Sequence, residues 1–167
     1  LSPGARVALV APSGPLLERD DRVRAEALCR ALGWVPHVLP HAERAHGYLA
    51  GTDAERLADL NAALAAREYD AVWCLRGGDG MNRIVADVGF AGFARAPKPV
   101  IGFSDITVLL LALWRETGVV GFHGRVAREP MPAFAQRAFE RVLTRAEPAG
   151  LLESVTPPAN VLLPQEG

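Results

Sequence analysis

Short runs of consecutive apolar residues alternate along this chain with longer segments in which apolar positions recur every three or four residues. "RVALVA" (6–11), "WVPHVL" (34–39), "DAVWCL" (70–75), "PVIGF" (99–103) and "GVVGF" (118–122) have the length and β-branched content of strands. Most are apolar on successive rather than alternate positions, the pattern of strands covered on both faces. Between them, "LERDDRVRAEALCRALG" (17–33) predicts a helix with Val23, Ala27, Leu28 and Leu32 on its buried stripe and Gly33 at its end. "TDAERLADLNAALAA" (52–66) opens with Thr52 and Glu55 at capping-box spacing, and "DITVLLLALWRETG" (105–118) runs to Gly118. Strand and helix alternation of this kind predicts an α/β fold: an open, mostly parallel sheet with helices on both faces, doubly wound and flavodoxin-like. A ligand site is then expected at the carboxyl ends of the strands.

After Arg128 the texture changes. One more helix is predicted from about Pro132 to Leu143, followed by a Pro-rich stretch with little periodicity. The division expected is one domain over 1–147 and a linker over 148–167. At 167 residues, half of them hydrophobic, the chain can build one real core. The formal net charge is -1 and the basic residues are interspersed with acidic ones, so neither nucleic acid nor a membrane surface is expected as a partner. No apolar run approaches the roughly 20 residues that span a bilayer, and the default location is the cytoplasm. Cys29 and Cys74 belong to no metal-binding or disulfide spacing and read as buried free thiols, with no metal or cofactor implied.

Three strand ends carry unusual residues. "APSGPL" (11–16) places Ser13 in a tight turn, which is either a simple turn or a wall of a binding site. "RGGDGMNR" (76–83) follows a strand and precedes a helix, so its glycines permit backbone N–H groups to converge on an anion or a carbonyl oxygen, with Arg76, Gly77, Gly78 and Asp79 within reach. Tight turns need glycine in any case. "GFSDIT" (102–107) holds Ser104 between a buried strand and the first turn of a helix, the mechanical arrangement of a nucleophile elbow without the literal GxSxG pattern. Ser104 or Asp105 capping that helix is the plainer reading, and both roles can coexist. Of His37, His41, His46 and His123, only His123 ends a strand beside Ser104, which makes it the one local candidate for a general base or a substrate contact.

Taken in order, "VALVAPSGP", "GYLAGTDAERLADLNAAL", "DAVWCLRGGDGMNRI", "PKPVIGFSDITVLLLAL" and "GFHG" resemble the N-terminal half of the LD-carboxypeptidase family, serine peptidases that include murein tetrapeptide carboxypeptidases and microcin C immunity proteins. The resemblance runs from about Val7 to Gly124. It implies that Ser104 is the nucleophile and that the N–H groups of Asp105 and Gly78 form the oxyanion hole. It implies a peptide substrate ending in a D-residue, with a microcin-like aminoacyl-nucleotide as the alternative, no cofactor, and a homodimer for the full-length protein. The Glu and His of the family's triad come from a C-terminal domain, so residues 148–167 resemble the linker toward it and residues 1–167 alone are expected to be inactive. Asp79 stands where the murein enzymes often have an aromatic residue, which leaves the substrate open.

Two other readings compete. "GGDG" before a helix also resembles the nucleotide-binding turn of NAD kinases and diacylglycerol kinases, but Met81 replaces the usual Thr, and "GYLAGTDAERL" and "GFSDIT" go unexplained. A non-catalytic binding module would keep the fold and lose the chemistry.

Overall fold

A computed structural model describes residues 1–150 of the chain. Five strands form one sheet: β1 (Arg6–Val10), β2 (Val35–Val38), β3 (Ala71–Cys74), β4 (Val100–Gly102) and β5 (Phe122–His123). All pairings are parallel and the order is β2-β1-β3-β4-β5. Arg6 apart, the residues of β1, β3 and β4 are buried, as their unbroken apolar runs require, whereas β2 alternates exposed and half-buried positions as an edge strand.

Among the described residues five helices lie between the strands, α1 (Asp21–Ala31), α2 (Asp53–Ala65), α3 (Met81–Ile84), α4 (Phe90–Arg95) and α5 (Thr107–Thr117), and α6 (Ala133–Leu143) follows the last strand. They cover both faces of the sheet. Ala8, Val10, Val72, Cys74 and Val100 pack against α2, α4 and α5 on one side. Val7, Leu9, Trp73 and Ile101 pack against α1 and α6 on the other. The capping box at the start of α2 is present in both directions between Thr52 and Glu55, and Gly118 ends α5 in the left-handed conformation. Most of the linker expected over 148–167 lies outside the described residues.

Two expectations from the sequence are corrected. The helix foreseen over 17–33 begins at Asp21, and its buried face is Asp21, Ala25 and Cys29, while Val23 is 63% exposed and Ala27 is exposed. The cause is a buried charge: Asp21 accepts the N–H groups of Leu17 and Glu18 and pairs with Arg24, so a polar residue heads the inward stripe. The strand foreseen over 118–122 pairs only at Phe122–His123. Residues 118–121 are used in turning from the end of α5 back to the sheet, and Val120 is left exposed.

Cys29 and Cys74 are free and buried, and burial pushes both thiols up to about 12. A thiolate is the reactive form, so the native chain is expected to resist a disulfide reagent at mildly alkaline pH and to titrate two thiols only when unfolded. Rapid labelling of the native chain would contradict this packing. Among the described residues no helix is long and apolar enough to cross a membrane.

Candidate active site

The loops after β1, β3 and β4 lie side by side at the carboxyl edge of the sheet, because those three strands are neighbours and parallel. In such a sheet the crevice normally opens where the strand order reverses, here between β1 and β3. That crevice is filled. Gly14 N–H donates to the Gly77 carbonyl at 2.9 Å, and a Cβ at Gly78 would fall 2.9 Å from Gly14 Cα. Ser104 stands one strand further along the edge, where the β4 loop meets the β3 loop.

Ser104 follows β4 and opens a 3-10 turn, Ser104–Ile106, that leads into α5. Its φ is +60°, a left-handed backbone that among the described non-glycine residues only Ala146 shares. For a residue with a Cβ this conformation costs about 1–2 kcal/mol. The side of the bend facing β3 is occupied by Gly77, where an added Cβ would lie 2.8 Å from the Phe103 carbonyl oxygen and 3.0 Å from Ser104 Cβ. Glycine at 77 is therefore a condition for the bend to sit this close. Ser104 is exposed, and among the described residues its hydroxyl makes no hydrogen bond to a histidine or a carboxylate. Neither the Gly78 nor the Asp105 N–H donates to a backbone carbonyl among those residues, so both amides are available.

The other residues singled out in the sequence separate into those on this surface and those beneath it. Ser13 is fully buried and its hydroxyl donates to Asp105 Oδ2 at 2.6 Å, with the Asp79 carbonyl at 3.1 Å, so its side chain is no wall of a substrate pocket. Arg76 is half-buried and donates to the Pro15 carbonyl at 2.9 Å. Asp79 is exposed, its carboxylate accepting the Gly80 N–H at 2.7 Å. His123, opposite Gly102 in the β4–β5 register, is exposed and packs its ring against Phe103 with centroids 5.0 Å apart. No hydrogen bond joins it to Ser104 among the described residues. The capping reading of Ser104 and Asp105 is not what is observed: neither caps its own helix, and Asp105 instead accepts the Met81 N–H at the start of α3, at 2.9 Å.

One residue that the sequence reading passed over ties the site together. Arg56 in α2 is 1% exposed and donates to the carbonyls of Pro12 and, at 3.2 Å, Gly80, joining the β1 loop to the β3 loop. Its second terminal nitrogen, Nη2, donates to Asp53 at 2.5 Å, and Asp53 also receives Arg83. The hydrogen bonds from Arg83 and then Arg56 hold the Asp53 carboxyl down at about 2. The signal was present: Arg56 stands in register with Leu60, Ala63 and Leu64, a charge on the buried stripe of an amphipathic helix. His41 and the buried Asp59 form a second polar pair at 2.8 Å, also unforeseen, beyond β2.

A parallel α/β domain with a strained serine at a strand-to-helix bend and free amides beside it has the layout on which nucleophile elbows are built. Residues 7–124 match the LD-carboxypeptidase N-terminal domain, and the chain belongs to that family of carboxypeptidases. It is similar to a protein of Streptomyces coelicolor, 47% identical over 133 residues that make up 76% of this chain and 42% of the relative. The murein tetrapeptide carboxypeptidase of Pseudomonas aeruginosa is 42% identical over 126 residues, 73% of this chain and 39% of that protein. Among solved structures, the muramoyltetrapeptide carboxypeptidase of Oxalobacter formigenes superposes with a TM-score of 0.74 at 28% identity, covering 84% of this chain and 48% of that one. The chain thus spans about two fifths of the length of these curated relatives. The match takes in the "GGDG" turn together with the two segments that the kinase reading left unexplained.

Proposed function

We propose that this domain is the nucleophile half of a serine carboxypeptidase that removes the C-terminal D-residue from murein tetrapeptide-like substrates. The observation that carries the reading is the left-handed backbone at Ser104, strain kept on an exposed serine at the active edge of the sheet. The murein enzyme among its relatives supports the substrate class. Ser104 Oγ attacks the carbonyl carbon before the terminal residue while a base takes its proton. The Gly78 and Asp105 N–H groups donate to the oxygen on which negative charge develops. The C–N bond then breaks, the base returns the proton to the leaving amine, and water hydrolyses the serine ester by the same route in reverse. No step uses a metal or an organic cofactor.

The base and its orienting carboxylate are a His and a Glu of a C-terminal domain, reached through a linker over 148–167, and the full-length protein works as a homodimer in the cytoplasm. The packing of the His123 ring against Phe103 supports placing the base elsewhere than at His123. A serine without a base is a weak alcohol. The polypeptide of residues 1–167 is therefore expected to hydrolyse an LD-tetrapeptide no faster than its own Ser104→Ala variant. Turnover by the 167-residue chain that disappears in both Ser104→Ala and His123→Ala would replace this reading with a self-contained Ser–His dyad.

A further inference from the structure

Three loops that follow three different strands meet on one carboxylate oxygen. Asp105 Oδ2 accepts the Ser13 hydroxyl at 2.6 Å and the Met81 N–H at 2.9 Å. Ser13 belongs to the loop after β1, Met81 opens α3 at the end of the β3 loop, and Asp105 lies in the bend after β4. A length of 2.6 Å falls in the charge-assisted range for O–H···O⁻, roughly twice as strong as a neutral bond. Through the Met81 N–H, Asp105 holds the segment that follows Gly78, and the Ser13 hydroxyl lies 3.1 Å from the Asp79 carbonyl of that segment.

We propose that the Asp105 carboxylate is the positioning residue of this active site. It fixes the separation between the Gly-rich turn and the Ser104 bend, and so keeps the Gly78 N–H, the Asp105 N–H and the Ser104 hydroxyl in register. The proposal rests on Ser104 being the nucleophile. Its physical basis is the strain at Ser104, which relaxes unless the chain is held on both sides. Before the bend, β4 is locked between β3 and β5. After it, the anchor is the side chain of the very next residue. The carboxylate acts through the backbone and takes no part in proton transfer.

Both bonds fall on a single oxygen, and that makes charge and position separable. Asparagine at 105 keeps one acceptor oxygen and loses the charge, whereas alanine loses both. In the complete enzyme, Asp105→Ala is expected to lower kcat about 10²-fold, the effect of a misplacement of about 1 Å, with KM little changed. Asp105→Asn recovers most of that loss, Ser13→Ala falls in between, and Ser13→Ala adds nothing to Asp105→Ala. Crystal structures of the same variants give a readout independent of activity: Ser104 leaves its left-handed backbone in Asp105→Ala and keeps it in Asp105→Asn. Undiminished kcat in Asp105→Ala overturns the proposal, as does an equal loss in Asp105→Asn with Ser104 unmoved in both. If Asp105→Ala does not fold, Ser13→Ala and Asp105→Asn carry the same comparison. Activity that survives Ser104→Ala would instead sink the nucleophile reading and leave the structural test of Asp105 standing.

Discussion

Replacing Ser104 by alanine in the complete enzyme is expected to lower kcat by a factor on the order of 10⁶, the loss seen when a serine nucleophile is deleted from a working triad. Substrate affinity should change little, because one hydroxyl is removed from an exposed position. A second substitution at the same residue separates chemistry from strain. Ser104→Gly removes the same hydroxyl, but glycine adopts a φ of +60° without penalty. The glycine variant is expected to be inactive and yet more stable than the native chain by about 0.5–1 kcal/mol, roughly 1–4 °C in melting temperature. Ser104→Ala keeps the strain and should melt with the native chain. Equal melting of all three would mean that the bend is not strained and would remove the main support for an elbow.

Arg56→Met is expected to give the largest loss of stability among the polar residues of the site. The substitution retains most of the apolar stem and deletes the guanidinium that holds Pro12, Gly80 and Asp53. The buried Pro12 carbonyl is left without that donor, a cost of about 1–3 kcal/mol. The Gly80 carbonyl still receives the Arg83 N–H, and Asp53 is partly exposed and keeps Arg83, so the full cost of an orphaned ion pair does not apply. A total of about 2–4 kcal/mol corresponds to a fall of roughly 5–15 °C in melting temperature. Arg56→Lys should rescue little, since one ammonium cannot reproduce a fork that reaches carbonyls on two loops and the Asp53 carboxylate of its own helix. Thermal melts of the three proteins check this, and a shift under 2 °C in Arg56→Met would show that the loops hold without it.

Much of the fold was legible because its signals are local. Buried parallel strands announce themselves as unbroken apolar runs, and Thr52 with Glu55 marks a helix start through one turn of chain. The errors fall where charge is buried or the chain is short of room. Asp21 sits on the inward face of α1 and turned the stripe away from Val23, and the return after Gly118 left two residues for the last strand where five were expected. The site divides in the same way. Ser104 and the Gly-rich turn were readable from their places at strand ends. The burial of Ser13 was not, because the carboxylate that captures it lies 92 residues away in sequence. Arg56 was readable in principle as a charge on an apolar stripe, but its partners, the Pro12 and Gly80 carbonyls, leave no mark on residue identity.

During turnover Ser104 is expected to carry the acyl group, which is checked by mixing the full-length protein with an LD-tetrapeptide, quenching in acid, and mapping the digested protein by mass spectrometry. The expected result is a substrate-derived acyl ester on the peptide containing Ser104, absent from Ser104→Ala and absent when the peptide lacks its terminal D-residue linkage. Turnover without any adduct on that peptide, abolished by EDTA and restored by zinc, would overturn the serine mechanism and place the chemistry on a metal-bound water instead.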